Sequence, residues 1–151
     1  MSANFYEAEL RKALRKEIES HRIRELGDSS PFFAQLTKAY PAGGSKIDWG
    51  RVPGSIERVE EDEALQVEQF AKFFDEVIQT FRLSGDVVYV GDSATDFALT
   101  GSLECMREVL PELLAVPQHH YIVGPDSSWC VCFTMEGDMG FGFRPSPAKI
   151  H

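Results

Sequence analysis

The chain has 151 residues, of which 43% are hydrophobic and 26% are charged, a composition typical of one folded domain rather than of a disordered segment. Its 24 acidic and 15 basic residues give a formal net charge of −9, and a field of that sign repels phosphate backbones, so we expect no direct nucleic-acid binding. No apolar run approaches the roughly 20 residues that a membrane-spanning helix needs, and the N-terminus has no apolar signal core, so the sequence predicts a cytoplasmic protein without membrane association.

The first part of the chain, residues 1–82, is predicted to be mainly helical. Apolar residues spaced by four predict a helix over residues 5–24. Gly27, shortly after it, is the expected stop signal. Ser29-Ser30-Pro31 is typical of a cap followed by a first helical turn, so a second short helix is expected up to Tyr40. Residues 41–55 contain four glycines and two prolines and predict a long irregular loop.

Residues 57–81 predict the longest helix. Val67, Phe70, Phe74 and Phe81 recur at helical spacing and are expected to form its buried stripe. Several acidic residues fall between residues 57 and 63, where a helix starting at residue 57 would have its first turns. Acidic side chains are favoured there by the helix dipole, which gives part of the acidic run a structural explanation.

The second part, residues 83–143, is predicted to be mainly sheet, followed by a tail over residues 144–151. The β-branched run DVVYVGD and the run DFALTG indicate a hairpin across the turn GDSATD, and Ser102 caps a helix that Pro111 should bend. Three further strands follow as a meander, the last of them a predicted edge strand carrying Phe141 and Phe143. The prediction is thus a single α+β domain over residues 1–151, with N-terminal helices followed by β-β-α-β-β-β and an antiparallel sheet packed on the long helix.

The stretch VVYVGDSATDF, residues 87–97, resembles the late metal-binding motif of haloacid-dehalogenase-type phosphatases. That resemblance implies that Asp92 and Asp96 help to hold a magnesium ion. The chemistry also needs an upstream Asp-x-Asp nucleophile, and none occurs in the 151 residues. Because Gly-Asp sequences form turns readily by themselves, we favour a turn here and expect no metal or other cofactor.

The pair His119-His120 and the pair Cys130-x-Cys132 are the other chemistry-bearing groups. Imidazoles and thiols are zinc-type ligands, and a thiol beside a histidine is a nucleophile–base pair. The pleat of a strand sends His119 and His120 to opposite faces, so at most one of them can join the thiols. A small metal-dependent or thiol hydrolase that uses Asp92 and Asp96, or these cysteines and histidines, is therefore kept as the alternative function. Three cysteines in all indicate reduced thiols rather than a disulfide framework.

The sequences GDSATDFALTGSLECMREVLPELL (residues 91–114) and PQHHYIVGPDSSWCVCFTMEGDMGFG (residues 117–142) together resemble small bacterial immunity proteins, which are encoded beside contact-dependent-inhibition or related polymorphic toxins. The resemblance implies a cytoplasmic, non-enzymatic protein that binds one cognate toxin domain and blocks its active site or docking surface. It assigns no role to individual residues. A plain interaction module without any toxin partner is a further hypothesis that the composition leaves open.

Many such toxins are nucleases with basic clefts, and an acidic inhibitor can imitate their phosphate-rich substrate. The acidic residues outside the N-terminal turns of helices are therefore the predicted partner-binding set: Asp92, Asp96, Glu104, Glu108, Glu112, Asp126, Glu136 and Asp138. Among them Glu104, Glu108 and Glu112 form an i, i+4, i+8 row. Like charges at this spacing cost helix stability, so the row is the strongest candidate contact, with a solvated helix face as its alternative.

Overall fold

A computed structural model describes residues 4–43 and 46–145. The first half of the chain contains, in order, α1 (Phe5–Ala13), α2 (Arg15–Glu19), β1 (Ile23–Asp28), α3 (Ser30–Ala39), β2 (Ala42–Gly43), β3 (Lys46–Ile47), β4 (Ile56–Val59) and α4 (Glu63–Phe81). The second half contains β5 (Asp86–Gly91), β6 (Phe97–Ser102), α5 (Leu103–Glu108), α6 (Leu110–Leu114), β7 (His120–Val123), β8 (Trp129–Phe133) and β9 (Asp138–Phe143). Short 3-10 turns lie at Trp49–Arg51 and Pro125–Ser127.

Seven strands form one antiparallel sheet in the order β1-β6-β5-β7-β8-β9-β4, and β2 pairs with β3 separately. The register is fixed by pairs such as His120 with Phe133 and Val131 with Phe141. The architecture confirms the predicted α+β class with N-terminal helices and an antiparallel sheet packed against helices. None of the helices in the described part of the chain has the length and hydropathy required to cross a bilayer.

The two faces of the sheet are covered by different elements. Helices α1, α4, α5 and α6 cover one face, where Phe70, Phe74, Met106 and Leu113 pack with strand residues such as Phe133. The opposite face is covered by α3 and the loop that follows it, which bring Leu36, Tyr40 and Trp49 onto Cys130 and Cys132. Strand β8, which lies between β7 and β9, is consequently buried on both faces, and every side chain of Trp129–Phe133 is in the interior.

The predicted helix over residues 5–24 is interrupted at Leu14 and is wrong after Glu19. Helix α1 ends at Ala13, α2 ends at Glu19, and the chain turns at His21, whose φ is 63°, before it enters β1. Strand β1 is an edge strand whose side chains are exposed after Ile23, so it has no apolar alternation that would distinguish it from a helix. Backbone pairing with β6 holds it in the sheet.

The N-terminal boundary of the longest helix is also corrected. Residues 56–59 form β4, which pairs with β9, so β9 is not the edge strand that was predicted. Helix α4 begins only at Glu63, with Asp62 as its cap, and the helix-dipole explanation therefore fails for the acids that precede residue 62. Val67, expected in the buried stripe, is 43% exposed, whereas Phe73 takes a buried position.

The remaining predicted elements agree with the structure. Helix α3, the hairpin of β5 and β6, and the meander β7-β8-β9 occur where the sequence indicates them. The helix capped by Ser102 divides into α5 and α6 at Val109, two residues before Pro111, because proline cannot donate the backbone hydrogen bond that would continue the first segment. The predicted loop over residues 41–55 is mostly irregular, with the short pairing of β2 and β3 inside it. Most of the predicted tail, residues 146–151, lies outside the described residues.

Candidate functional site

The antiparallel pairing brings two acidic turns to the same end of the sheet. The turn between β5 and β6 follows Gly91, which pairs with His120, and the turn between β8 and β9 follows Phe133, which also pairs with His120. Four of the predicted partner-binding residues therefore share this end of the sheet, and all four are exposed: Asp92, Asp96, Glu136 and Asp138. We refer to these four residues as the acidic end.

His119 connects the two turns of the acidic end. Its main-chain N–H donates to Oδ1 of Asp92 at 2.9 Å, and its ring Nδ1 accepts from the main-chain N–H of Met135 at 3.1 Å. Nε2 of the same ring lies 3.9 Å from Oε1 of Glu136. The carboxylate of Asp92 also accepts from the hydroxyl of Ser93 at 3.2 Å, so it serves as a structural acceptor within the turn.

A lysine from β3 reaches the acidic end. The Lys46 ammonium forms a hydrogen-bonded ion pair with Glu136 and lies 3.9 Å from a carboxylate oxygen of Asp138. The hydrogen bond from Lys46 holds the pKa of the Glu136 carboxyl below its usual value and raises the pKa of Lys46 itself. The Lys46 ammonium thus pairs with two of the four carboxylates, and the end keeps a negative charge.

Gln118 fixes the shape of the β5–β6 turn from beneath. Its side chain is 1% exposed, and its Oε1 accepts from the main-chain N–H groups of Ser93, Ala94 and Thr95 at 3.3, 2.8 and 3.1 Å. Its Nε2 donates to the hydroxyls of Tyr89 and Thr95, both at 3.0 Å. Gly91 makes room for this amide, since a Cβ at that position would overlap it. The sequence patterns gave Gln118 no role, because a glutamine after Pro117 belongs to no periodic pattern.

A buried histidine lies beside the Gln118 amide. Nδ1 of His120 is 2.7 Å from the Tyr89 hydroxyl, which also accepts from Nε2 of Gln118. Burial lowers the pKa of His120 to about 4 and raises the pKa of Tyr89. The imidazole is neutral at pH 7, and the network holds the acidic end in place without carrying a charge of its own.

The other four predicted partner-binding residues lie elsewhere. Glu104, Glu108 and Glu112 are exposed on α5 and α6, and the break at Val109 interrupts their row. Glu108 forms an exposed ion pair with Arg22 at 2.6 Å.

Asp126 is at the opposite end of the sheet, in the connection between β7 and β8. It lines a surface depression of about 590 Å³ together with Lys38 and Arg144. The eight residues therefore divide among three locations: the acidic end, the α5–α6 surface and the far end of the sheet.

The structure also places the groups that the hydrolase alternative requires. Among the described residues, no three side chains of His, Cys, Asp or Glu converge as a metal ion would need. Cys130 and Cys132 are buried against α3 and its loop, where burial raises the pKa of Cys130 well above its usual value and that of Cys132 to about 12. His120 faces the opposite side of the sheet, toward Tyr89. The thiols are protonated at neutral pH, and the thiolate, not the thiol, is the nucleophile.

No protein-family model matches the sequence, and no curated protein matches it significantly.

Proposed function

We propose that the chain is a cytoplasmic immunity protein that binds a basic toxin domain through its acidic end and thereby blocks the toxin's active site or docking surface. The observation that carries the proposal is the convergence of Asp92, Asp96, Glu136 and Asp138 at one end of the sheet. A basic cleft that normally binds a polyanion would meet a set of carboxylates there, and complementary charge accelerates association.

The rigidity of the acidic end supports the proposal. Gln118 accepts three main-chain hydrogen bonds from the β5–β6 turn, and His119 ties that turn to the β8–β9 turn. Carboxylates carried by turns whose backbone is already in place lose less conformational freedom on binding, and such preorganisation increases affinity. The acidic end therefore favours a protein partner with a matching arrangement of lysine and arginine side chains.

The acidic end is a better candidate than the row on α5 and α6. Arg22 already pairs with Glu108, and the break at Val109 separates Glu112 from the other two members of the row. Among the residues that the structure describes, Lys46 is the one lysine or arginine that forms a salt bridge with the acidic end, and it reaches only Glu136 and Asp138. We assign the principal contact to the acidic end and give the row a smaller part.

The test uses the C-terminal domain encoded by the gene that neighbours the gene for this chain. The two proteins are purified separately, and their association is followed by stopped-flow fluorescence at increasing NaCl concentrations. We expect tight binding and an association rate that falls roughly tenfold between about 50 and about 500 mM salt, because salt screens steering by exposed charges. Co-expression of this chain should also restore the growth of cells that produce the domain. A neighbouring domain that is not toxic, or that does not bind, would refute the immunity role.

Two charge-matched variants locate the contact. The variant Asp96→Lys/Glu136→Lys should lower the association rate at least tenfold. The variant Glu104→Lys/Glu112→Lys makes the same change in net charge on the α5–α6 surface, and we expect a much smaller decrease in the association rate. The reverse order of effects would move the contact to the row and overturn the assignment to the acidic end.

A further inference from the structure

A groove of about 280 Å³ lies beside the acidic end, between α4, the connection from α6 to β7, and the β8–β9 turn. We call it the α4 groove. Its apolar lining includes Val67, Phe70, Leu114, Pro117 and Met135. Its volume is below the roughly 300–1,000 Å³ typical of small-molecule sites and suits the side chains of one short segment.

Two apolar side chains in this lining are exposed to water. Val67 is 43% exposed and Met135 is 53% exposed, although the helical spacing of α4 places Val67 in an otherwise buried series. Residues of this kind, next to a depression and to polar groups, are typical of the centre of a protein interface, where apolar anchors enter pockets on the partner.

An acidic run adjoins the α4 groove, and we call this run the rim. The run comprises Glu60, Glu61, Asp62 and Glu63, and Glu63 itself lines the groove. The amide of Gln66, another lining residue, donates to the carbonyl of Glu60 at 3.0 Å. The N–H of Glu60 donates to the carbonyl of Gly137 at 3.0 Å, which joins the run to the β8–β9 turn. Within residues 4–43 and 46–145, none of the four carboxylates forms a salt bridge.

We propose that the α4 groove receives an apolar side chain, of the size of leucine or methionine, that is flanked by lysine or arginine on the partner protein. The apolar floor provides the affinity for the anchor, and the unneutralised rim selects a basic flank. This inference rests on the proposed function in that it describes the same partner: the anchor would enter beside the carboxylates of the acidic end.

A peptide pair tests the groove independently of any toxin. A ¹⁵N-labelled sample of the chain is titrated with a synthetic peptide of alternating lysine and leucine, and separately with one in which serine replaces every leucine. We expect the leucine peptide to shift the amide resonances of Val67, Ala115 and Met135, and the serine peptide to bind at least tenfold more weakly. Equal binding of the two peptides, or shifts spread over all acidic surfaces, would overturn the proposal of an apolar anchor.

A variant that fills the groove provides a second test of the proposal. Ala115 lines the groove and is exposed, so Ala115→Trp should occupy it without changing any charge and should weaken binding of the leucine peptide at least tenfold. Ala34→Trp, at an exposed position on α3, is the matched control and should leave binding unchanged. If Ala115→Trp does not fold, Met135→Ser removes part of the lining instead and should weaken binding severalfold. Unchanged binding by the folded variants would refute the groove.

The same variants separate this inference from the proposed function. If the neighbouring toxin domain binds and Ala115→Trp has no effect on the affinity for that domain, the proposal that the α4 groove binds the partner is wrong. The proposed role of the acidic end is then unaffected. If the leucine peptide binds in the groove and the toxin domain does not bind, the proposed function is wrong, and the groove remains a docking site for a basic segment.

Discussion

The side-chain oxygen of Gln118 lies 2.8 Å from the main-chain nitrogen of Ala94, at the centre of the β5–β6 turn. The same oxygen accepts from the main-chain nitrogens of Ser93 and Thr95. A buried amide from a different segment thus satisfies donors that the turn cannot satisfy itself. This contact determines where Asp92 and Asp96 are held.

Replacement of Gln118 by alanine should destabilise the protein and loosen the turn. The buried N–H of Thr95 would lose its acceptor, together with the neighbouring donors, and we expect a loss of about 2–3 kcal/mol in the free energy of unfolding. Urea denaturation measures the loss, and amide hydrogen exchange at Ser93, Ala94 and Thr95 should accelerate more than exchange in α3.

The matched control for this prediction is Gln35→Ala on the exposed surface of α3. The same change of side chain there should alter the free energy of unfolding by less than about 0.5 kcal/mol. If the two variants lose comparable free energy of unfolding, the hydrogen bonds from the turn to Gln118 do not stabilise the protein as proposed.

The sequence predicted the second half of the fold better than the first. Strand β8 alternates strictly, with Trp129, Val131 and Phe133 on one face, and its neighbours have clear turn residues between them. Strands β1 and β4 lie at the two edges of the sheet and carry mostly exposed or half-exposed side chains, so no hydrophobic period marks them. The predicted helix over residues 5–24 overlaps the first two residues of β1, and the predicted helix over residues 57–81 overlaps the last three residues of β4.

The candidate site was predictable only in part. The sequence marks Asp92, Asp96, Glu136 and Asp138 as turn acids, but their common location depends on the order β5-β7-β8-β9, which is a property of the folded sheet. The part played by Gln118 depends on contacts over more than twenty positions of sequence separation, which no local pattern encodes.

Acid should weaken the fold through His120. The pKa of this imidazole is about 4 in the folded protein against 6.5 for a free histidine, so the unfolded chain binds a proton more readily over that interval. Stability is therefore complete above about pH 6.5 and falls as the pH decreases towards 4, by up to about 3 kcal/mol. Urea denaturation of the natural chain and of His120→Gln across this range should show the difference, because glutamine does not titrate.

The control for the acid effect is His21→Asn. His21 is exposed with a φ of 63°, a conformation that asparagine tolerates, and the variant keeps His120. It should show the same loss of stability on acidification as the natural chain. Parallel pH profiles for the natural chain and His120→Gln would contradict the assignment to His120.

Gly140 should be intolerant of alanine. A Cβ at this position in β9 would overlap the indole of Trp49, which packs on the strand from the side of α3. We expect Gly140→Ala to cost about 1–3 kcal/mol through overpacking, measured by chemical denaturation. Gly50→Ala is the matched control, since a Cβ there would be 3.4 Å from Oδ1 of Asp48, and its cost should be small.

The double variant Gly140→Ala/Trp49→Phe distinguishes overlap from a general loss of backbone freedom. The atoms that a Cβ of residue 140 would overlap belong to the five-membered ring of the indole, which phenylalanine lacks. The two substitutions should therefore cost less together than the sum of their separate effects. Strict additivity would contradict the overlap.

The thiols of Cys105, Cys130 and Cys132 should be unreactive in the folded protein. All three are buried, and burial raises the pKa of each above its usual value, so little thiolate is present at neutral pH. With a disulfide reagent such as DTNB we expect negligible reaction in native buffer and reaction of three thiols in denaturant. Thr80→Cys, on the exposed surface of α4, is the control and should add one thiol that reacts rapidly in the native state. Rapid reaction of a natural cysteine in the folded chain would return a thiol hydrolase to consideration, because nucleophilic catalysis requires an accessible thiolate.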